Sequence, residues 1–318
     1  MTTHVLRPMT LDDGDALRQL VNRIYQADGI KEALSPQEMP GFIVGPHFDP
    51  MEDSRVVLAD RRLVAYAKVQ CRPSEEREAW AYLEGGVHPD YRSQGIGVSL
   101  FDWQVSRAGA RLSAAPDGLP RYLRTDIHPT QTIKEAMLVQ RGFETVRYYE
   151  DMIRPVDDDR APSGDGFRVV PWDDDRADEV REVKNAAFRD HWGSTSVDRA
   201  TWEHWLSEST TRLDLSRIAI AGDTVVGYCL NSHFPQDEEV RGRREGWIDS
   251  LGTVQAWRGR GVATTLLRHA FVAFTEAGFT HAALGVDSDN PTGARGLYER
   301  AGFVTTSSMK RMQITLTD

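Results

Sequence analysis

The sequence predicts an α/β (α+β) protein made of two tandem copies of one fold. Three observations carry that expectation. A segment near the middle of the first half has a counterpart in the second, and each half sets a glycine-rich turn ahead of an apolar-periodic helix. The chain of 318 residues also suits roughly two units of about 150 residues each.

The repeat is legible residue by residue. GGVHPDYRSQGIGVSLFDWQV, from Gly85 to Val105, matches LGTVQAWRGRGVATTLLRHAF, from Leu251 to Phe271, in order and chemistry. Aligning Arg92 with Arg258 gives an offset of 166, while QRGFETV and RAGFVTT align Gly142 with Gly302 at 160, a drift taken up in a loop. The openings LRPMTLDDGDALRQLVNRIY and VVPWDDDRADEVREVKNAAF each read as a strand end, an acidic cap and an apolar helical pattern. Between the halves, RPVDDDRAPSGDG has the proline, glycine and acidic content of a solvated linker. The expected boundaries are therefore 1–153, a linker over 154–166, and 167–318.

In the second half the pattern predicts strand FRVVPW, helices ADEVREVKNAAF and TWEHWLSES, then strands SRIAIAG, TVVGYCL and EGWIDSLGTV. A helix from Val262, strand HAALGVD, helix TGARGLYERA and terminal strands follow. Gly222-Asp223 between apolar runs predicts a hairpin. The first half repeats this order, with a longer insertion from Asp28 to Pro50.

Composition excludes several classes. Hydrophobic residues at 40% and charged residues at 27% are those of an ordinary globular protein rather than a disordered or fibrous one. No apolar run approaches the roughly 18 residues of a membrane span, and the start MTTHVLRPMTLDDGD lacks a secretory pattern, so a cytoplasmic location is expected. A formal charge of -10 argues against nucleic acid or anionic membrane as a general partner. Cys71 and Cys229 are too few for a disulfide framework and are expected to be buried thiols. The nine histidines are scattered without zinc-ligand spacing, so no metal is predicted.

The turn carries the chemistry. A strand ending at Thr253 or Val254, then Arg258-Gly259-Arg260-Gly261-Val262-Ala263-Thr264, then a helix, suits a pyrophosphate: glycines admit close backbone approach, and unpaired amides at the helix start face the anion. The spacing is neither that of a P-loop nor that of a dinucleotide fold, and it occurs twice.

With these residues the chain resembles the GNAT superfamily. Its [RQ]-x-x-G-x-[GA] hallmark stands as Arg92-Ser93-Gln94-Gly95-Ile96-Gly97 and again as Arg258 to Ala263. A second hallmark is present as Asn290 followed by Leu297-Tyr298-Glu299-Arg300-Ala301-Gly302-Phe303. The tandem plan is similar to that of acetyltransferases of the mycothiol synthase type. The resemblance implies a mixed, mainly antiparallel central sheet flanked by helices in each domain, acetyl-CoA as the coenzyme, and direct acetyl transfer to a primary amine of a small molecule.

It also implies roles. Acetyl transfer from a thioester to an amine needs a neutral amine, a stabilised oxyanion and a proton for the departing thiolate. Leu251, Gly252, Thr253 and Val254 match the family's backbone donors, with Val87 as a counterpart in the first half. Tyr298 matches its general acid, Asp249 its strand carboxylate, and Glu245 is the reserve base. Strand alternation would put Glu245, Asp249, Leu251 and Thr253 on one face unless a bulge shifts the register. His191 and Trp192, in RDHWG, read as a substrate-lining turn. An amine that arrives neutral would need no side-chain base.

In the first half the positions of Tyr298 and Asn290 fall on Leu138 and Thr130. That copy is expected to be non-catalytic while retaining a turn able to hold coenzyme. Two other functions stay open: a non-catalytic acyl-CoA-binding regulatory module, and a protein N-acetyltransferase. Either a monomer or a homodimer suits the sequence.

Overall fold

The computed structural model describes residues 4–71, 77–157, 160–189, 191–289 and 293–316. Its strands are β1 (His4–Arg7), β2 (Ser54–Ala59), β3 (Arg62–Cys71), β4 (Ala79–Val87), β5 (Arg121–Ile127), β6 (Glu144–Pro155), β7 (Arg168–Pro171), β8 (Arg217–Ala221), β9 (Thr224–His233), β10 (Glu245–Thr253), β11 (His281–Asp287) and β12 (Val304–Thr315). The helices are α1 (Gly14–Asp28), α2 (Met39–Ile43), α3 (Pro50–Asp53), α4 (Ile96–Leu112), α5 (Thr132–Gln140), α6 (Ala177–Phe188), α7 (Arg199–Ser207), α8 (Asp237–Arg241), α9 (Val262–Glu276) and α10 (Ala294–Arg300).

Apolar period decides which side of each element is covered. On α1, Leu17, Leu20, Val21 and Ile24 are buried at helical spacing, and Gly29 ends the helix at φ 69°. On β8, Ile218 and Ile220 face one layer and Ala219 the other, as alternation requires. Gly222, at φ 59°, closes the predicted hairpin where Ala221 pairs with Thr224.

The chain forms two compact units, and they are not two consecutive stretches: one comprises Met1–Arg147 with Met309–Asp318, the other Tyr148–Ser308. The difference from the expected boundaries has a physical cause. Strand β6 continues through the expected start of the linker, so that Arg154 pairs with Ala282 and Pro155 with His281 of β11. Lys310–Thr315 of β12 pair in turn with Tyr122–Ile127 of β5. Thus each unit draws a sheet strand from the far end of the other repeat's sequence.

Unit 1 has the strand order β1-β2-β3-β4-β5-β12 and unit 2 the order β6-β11-β10-β9-β8-β7. Among the described residues each sheet is mainly antiparallel, with β4 parallel to β5 in unit 1 and β10 parallel to β11 in unit 2. In unit 2, Val180, Val183 and Trp202 from α6 and α7 cover one face, while Leu266, Phe271 and Phe274 from α9 cover the other. In unit 1, Leu17 and Val21 of α1 with Met39 of α2 lie on one side, and Phe101 of α4 with Leu138 of α5 on the opposite side. The insertion after α1 buries Met39 and Ile43 in that core. Both cysteines are buried, as expected.

Candidate active site

Backbone conformation builds the turn before α9. Gly259 and Gly261 adopt φ of 74° and 80°, and a Cβ at either position would meet nothing within 4 Å. Glycine is required there by backbone angle rather than by space. The alternation of left-handed and ordinary residues turns successive amides inward, and the first α9 amides, at Val262, Ala263 and Thr264, precede the bond from Thr265 N to Gly261 O (2.9 Å). Arg258 braces the turn, donating to Ala187 O (2.9 Å) and Thr253 O (3.4 Å). The exposed Arg260 lies over the Trp257 ring at 4.9 Å.

Unit 1 repeats this geometry. Ser93 and Gly95 occupy the left-handed region at φ 60° and 82°, α4 begins at Ile96, and Arg92 donates to Val87 O at 3.1 Å. Arg92 also pairs with Asp28 (2.7 Å), and Gln94 donates to Asp90 O (3.3 Å).

Both parallel pairs open beside their turns. The ladder between β10 and β11 runs from Glu245 and His281 to Ile248 and Leu284, leaving β10 beyond it without that neighbour. In unit 1 the ladder between β4 and β5 ends at Tyr82 and Arg124. There the opening is a cavity of about 410 Å³ lined by Gly85, Gly86, Val87, Gly95, Gly97 and Lys134 among others. In unit 2 the Thr253 hydroxyl is buried with no hydrogen-bond partner, an acceptor and donor left over at the end of β10.

Asp249 is the extra residue of a bulge. Ile248 pairs with Asn231 and Ser250 with Leu230, so Asp249 has no partner of its own on β9. This corrects the simple alternation: Leu251 and Thr253 share the face of Cys229 and Gly227, whereas Ser250 joins that of Tyr228. Ser232 Oγ donates to the Asp249 carboxylate, and Tyr228 Oη is 2.5 Å from Ser250 Oγ. Desolvation pushes the Asp249 carboxyl up to about 7, with Glu208 adding to the rise and the Ser232 bond opposing it. Although its carboxylate is crowded by protein, the residue keeps an exposed face. Water at that face opposes the desolvation.

Glu245 is differently engaged. It is 4% exposed and is held by Arg243, by Arg241 (3.3 Å) and by Trp247 Nε1 (3.1 Å). Three donors thus hold its carboxylate at the start of β10.

Tyr298, on α10, packs against the α9 core with its ring 5.9 Å from Phe303. Burial raises its phenol above the ordinary value, and Cys229 adds to the rise. Cys229 is itself pushed up to about 12 by burial, with Asp249 adding to the rise. His191 lies 5.3 Å from Phe188, ring to ring, and its amide donates to Phe188 O. It and Trp192 follow α6, whose Lys184 lies 5.5 Å from the Trp205 ring. Asn290 lies outside the described residues. Sequence reasoning missed Ser232 and the Tyr228–Ser250 pair, since neither has a local signature and both arise from register across β9 and β10.

Residues 177–303 match the Acetyltransferase (GNAT) family. The chain is 26% identical over 232 residues to a mycothiol acetyltransferase of Mycobacterium sp. (strain JLS), covering 70% of each. To the mycothiol acetyltransferase of Propionibacterium freudenreichii subsp. shermanii it is 25% identical over 308 residues, 94% of this chain and 88% of the relative. Among solved structures, a GCN5-related N-acetyltransferase from Sphaerobacter thermophilus superposes with a TM-score of 0.73 at 25% identity, covering 98% of this chain and 95% of that one. A tandem GNAT protein from the clavulanic acid biosynthesis pathway, 15% identical with a TM-score of 0.71 and coverage of 99% and 100%, shares the fold.

Proposed function

The chain is a tandem N-acetyltransferase of the GNAT family, and from that premise we propose that unit 2 moves an acetyl group from acetyl-CoA to a primary amine of a small-molecule acceptor. The observation that carries this reading is the bulge that sets the Asp249 carboxylate, bonded to Ser232, out of the β10 ladder beside the opened strand pair.

The residues present fit the coenzyme. The first amides of α9 and the left-handed glycines before it would receive its pyrophosphate, and the orphaned Thr253 hydroxyl and the open edge of β10 its pantetheine arm. When bound, acetyl-CoA supplies an acetyl group activated as a thioester. Asp249, titrating near neutrality, takes a proton from the incoming ammonium and leaves the nitrogen lone pair free. Ser232 orients that carboxylate. Backbone amides in the stretch from Leu251 to Thr253 would serve as donors to the thioester oxygen, the Val254 amide being engaged by Val226 O at 3.0 Å. Tyr298 retains its proton at neutral pH, because burial raises its pKa, and delivers it to the departing sulfur.

Unit 1 keeps the turn and the opened strand pair, so we assign it a second coenzyme site. Leu138 stands where unit 2 has Tyr298, and β4 runs beside β3 without a bulge. It therefore lacks both the acid and the displaced carboxylate.

A thiol-release assay with a panel of small amines tests the proposal. Release that depends on an amine and collapses in Asp249→Asn and Tyr298→Phe is the expected result. Amine-independent binding without release in the wild-type chain would overturn it in favour of a non-catalytic coenzyme-binding module.

A further inference from the structure

We propose that Lys134 is an internal acetyl acceptor, modified by acetyl-CoA held in unit 1. The inference rests on the assignment of a coenzyme site to that unit. It accounts for a residue that a merely vestigial pocket does not need: a lysine inside the cavity that runs from the phosphate turn to the opened strands.

Lysine is scarce in this chain. Of 38 basic residues only Lys31, Lys68, Lys134, Lys184 and Lys310 are lysines. Lys134 alone among them lines the unit 1 cavity. Lys68 is 2% exposed and held by Phe42 O at 2.7 Å, Lys310 is bonded to Glu135 at 2.5 Å, Lys184 is buried on α6 with its Nζ 5.5 Å from the Trp205 ring, and Lys31 is on the surface.

Position on the helix brings Lys134 to the reacting end. It precedes Leu138 by one turn of α5, on the same face, and both line the cavity. Across from them stand Gly85, Gly86 and Val87, the counterparts of Leu251, Gly252 and Thr253. Its Nζ donates to Asp126 O at 3.4 Å, a long bond that an attack on another carbon can break at little cost. Residue 134 is half-buried overall, but protein encloses the ammonium. Desolvation lowers its pKa, opposed by the Asp126, Glu84 and Asp28 carboxylates that face it. The lowering enlarges the neutral fraction available as a nucleophile.

The step balances without another reagent. The Lys134 Nζ lone pair forms a bond to the thioester carbonyl carbon, the carbon–sulfur bond breaks, and the sulfur leaves with that electron pair. The proton lost by nitrogen ends on the sulfur, giving Nε-acetyl-lysine and the free coenzyme thiol. The product carries a neutral amide where the lysine ammonium lay under the influence of Asp126 and Glu84.

The test uses the full chain with acetyl-CoA, followed by intact mass and peptide mapping of all five lysines, with coenzyme stoichiometry measured in parallel on Lys134→Arg. Expected is one acetyl group on Lys134, absent from Lys134→Arg, and not reproduced by acetyl phosphate. A non-acylatable coenzyme analogue at ten times its Kd is expected to slow labelling about tenfold by occupancy. Two coenzymes bound per chain with Lys134 unmodified would overturn the inference while leaving the unit 1 assignment standing. Equal labelling by acetyl phosphate would also overturn it. A single coenzyme per chain would instead remove the unit 1 assignment on which it rests.

Discussion

The pH dependence of acetyl transfer offers the sharpest test of the proposed base. An ordinary aspartate, near 3.9, would stay about nine-tenths ionised at pH 5. With its pKa raised to about 7, Asp249 is half ionised at neutrality and about 1% ionised at pH 5. The base form is the working form, so kcat/KM should be full above pH 8 and fall about tenfold for each unit below 7. Asp249→Asn should lower kcat/KM by about 10² to 10⁴ and abolish that limb. Ser232→Ala should move the limb upward, because the serine bond now holds the carboxyl down. Initial rates of thiol release from pH 5 to 9, with one acceptor at subsaturating concentration, measure all three. A limb of unchanged midpoint in Asp249→Asn would assign it to the acceptor amine and refute the role given to the carboxylate, as would a wild-type midpoint below 5.

Three further outcomes follow from the same geometry. Tyr298→Phe keeps the ring against Phe303 but removes the proton, so kcat should fall by about 10² or more while KM for acetyl-CoA barely moves. Gly261→Val forces a β-branched residue to φ 80°, which should cost about 1–2 kcal/mol in denaturant titration and raise KM for acetyl-CoA. Arg124 is 2% exposed and forked onto Glu78 at 2.8 and 2.9 Å while bonding Gln313 at 2.7 Å. Arg124→Ala strands that carboxylate beside β5 and β12, and should destabilise the chain by about 3–5 kcal/mol, read as a fall in Tm.

Local chemistry was legible in the sequence; long-range pairing was not. Gly259, Gly261 and the Gly222 hairpin announce themselves because backbone angle is a property of a residue and its neighbours in sequence. The tandem fold could be read from the repeat for the same reason. The expected linker, by contrast, failed to predict that Arg154 and Pro155 would join β11, since a proline- and glycine-rich composition says nothing about which strand waits at the far end of the chain. Helix α8 went unread because five residues carry too little period; Arg241 meets Asp237 one turn back in the helix at 3.3 Å and reaches outside it to Glu245 on β10 at 3.3 Å. The same contact ties Glu245, the reserve base candidate, to the end of α8.

The bulge at Asp249 shows why the repeat was a good guide to the cradle and a poor one to the catalytic face. Both units keep the left-handed turn, the opened parallel pair and an arginine donating to the strand end, so binding requirements are met twice by the same local sequence logic. They part at β10: the ladder from Ala81 to Val87 is unbroken against β3, whereas one added residue in β10 ejects Asp249 from the pleat and moves Leu251 to the opposite face. A single-residue shift reverses every later side chain, so the residue types in β4 and β10 can be aligned while their directions cannot. On the proposed reading, that shift and the exchange of leucine for tyrosine on the following helix separate a unit that transfers to a free acceptor from one that lacks the machinery to do so.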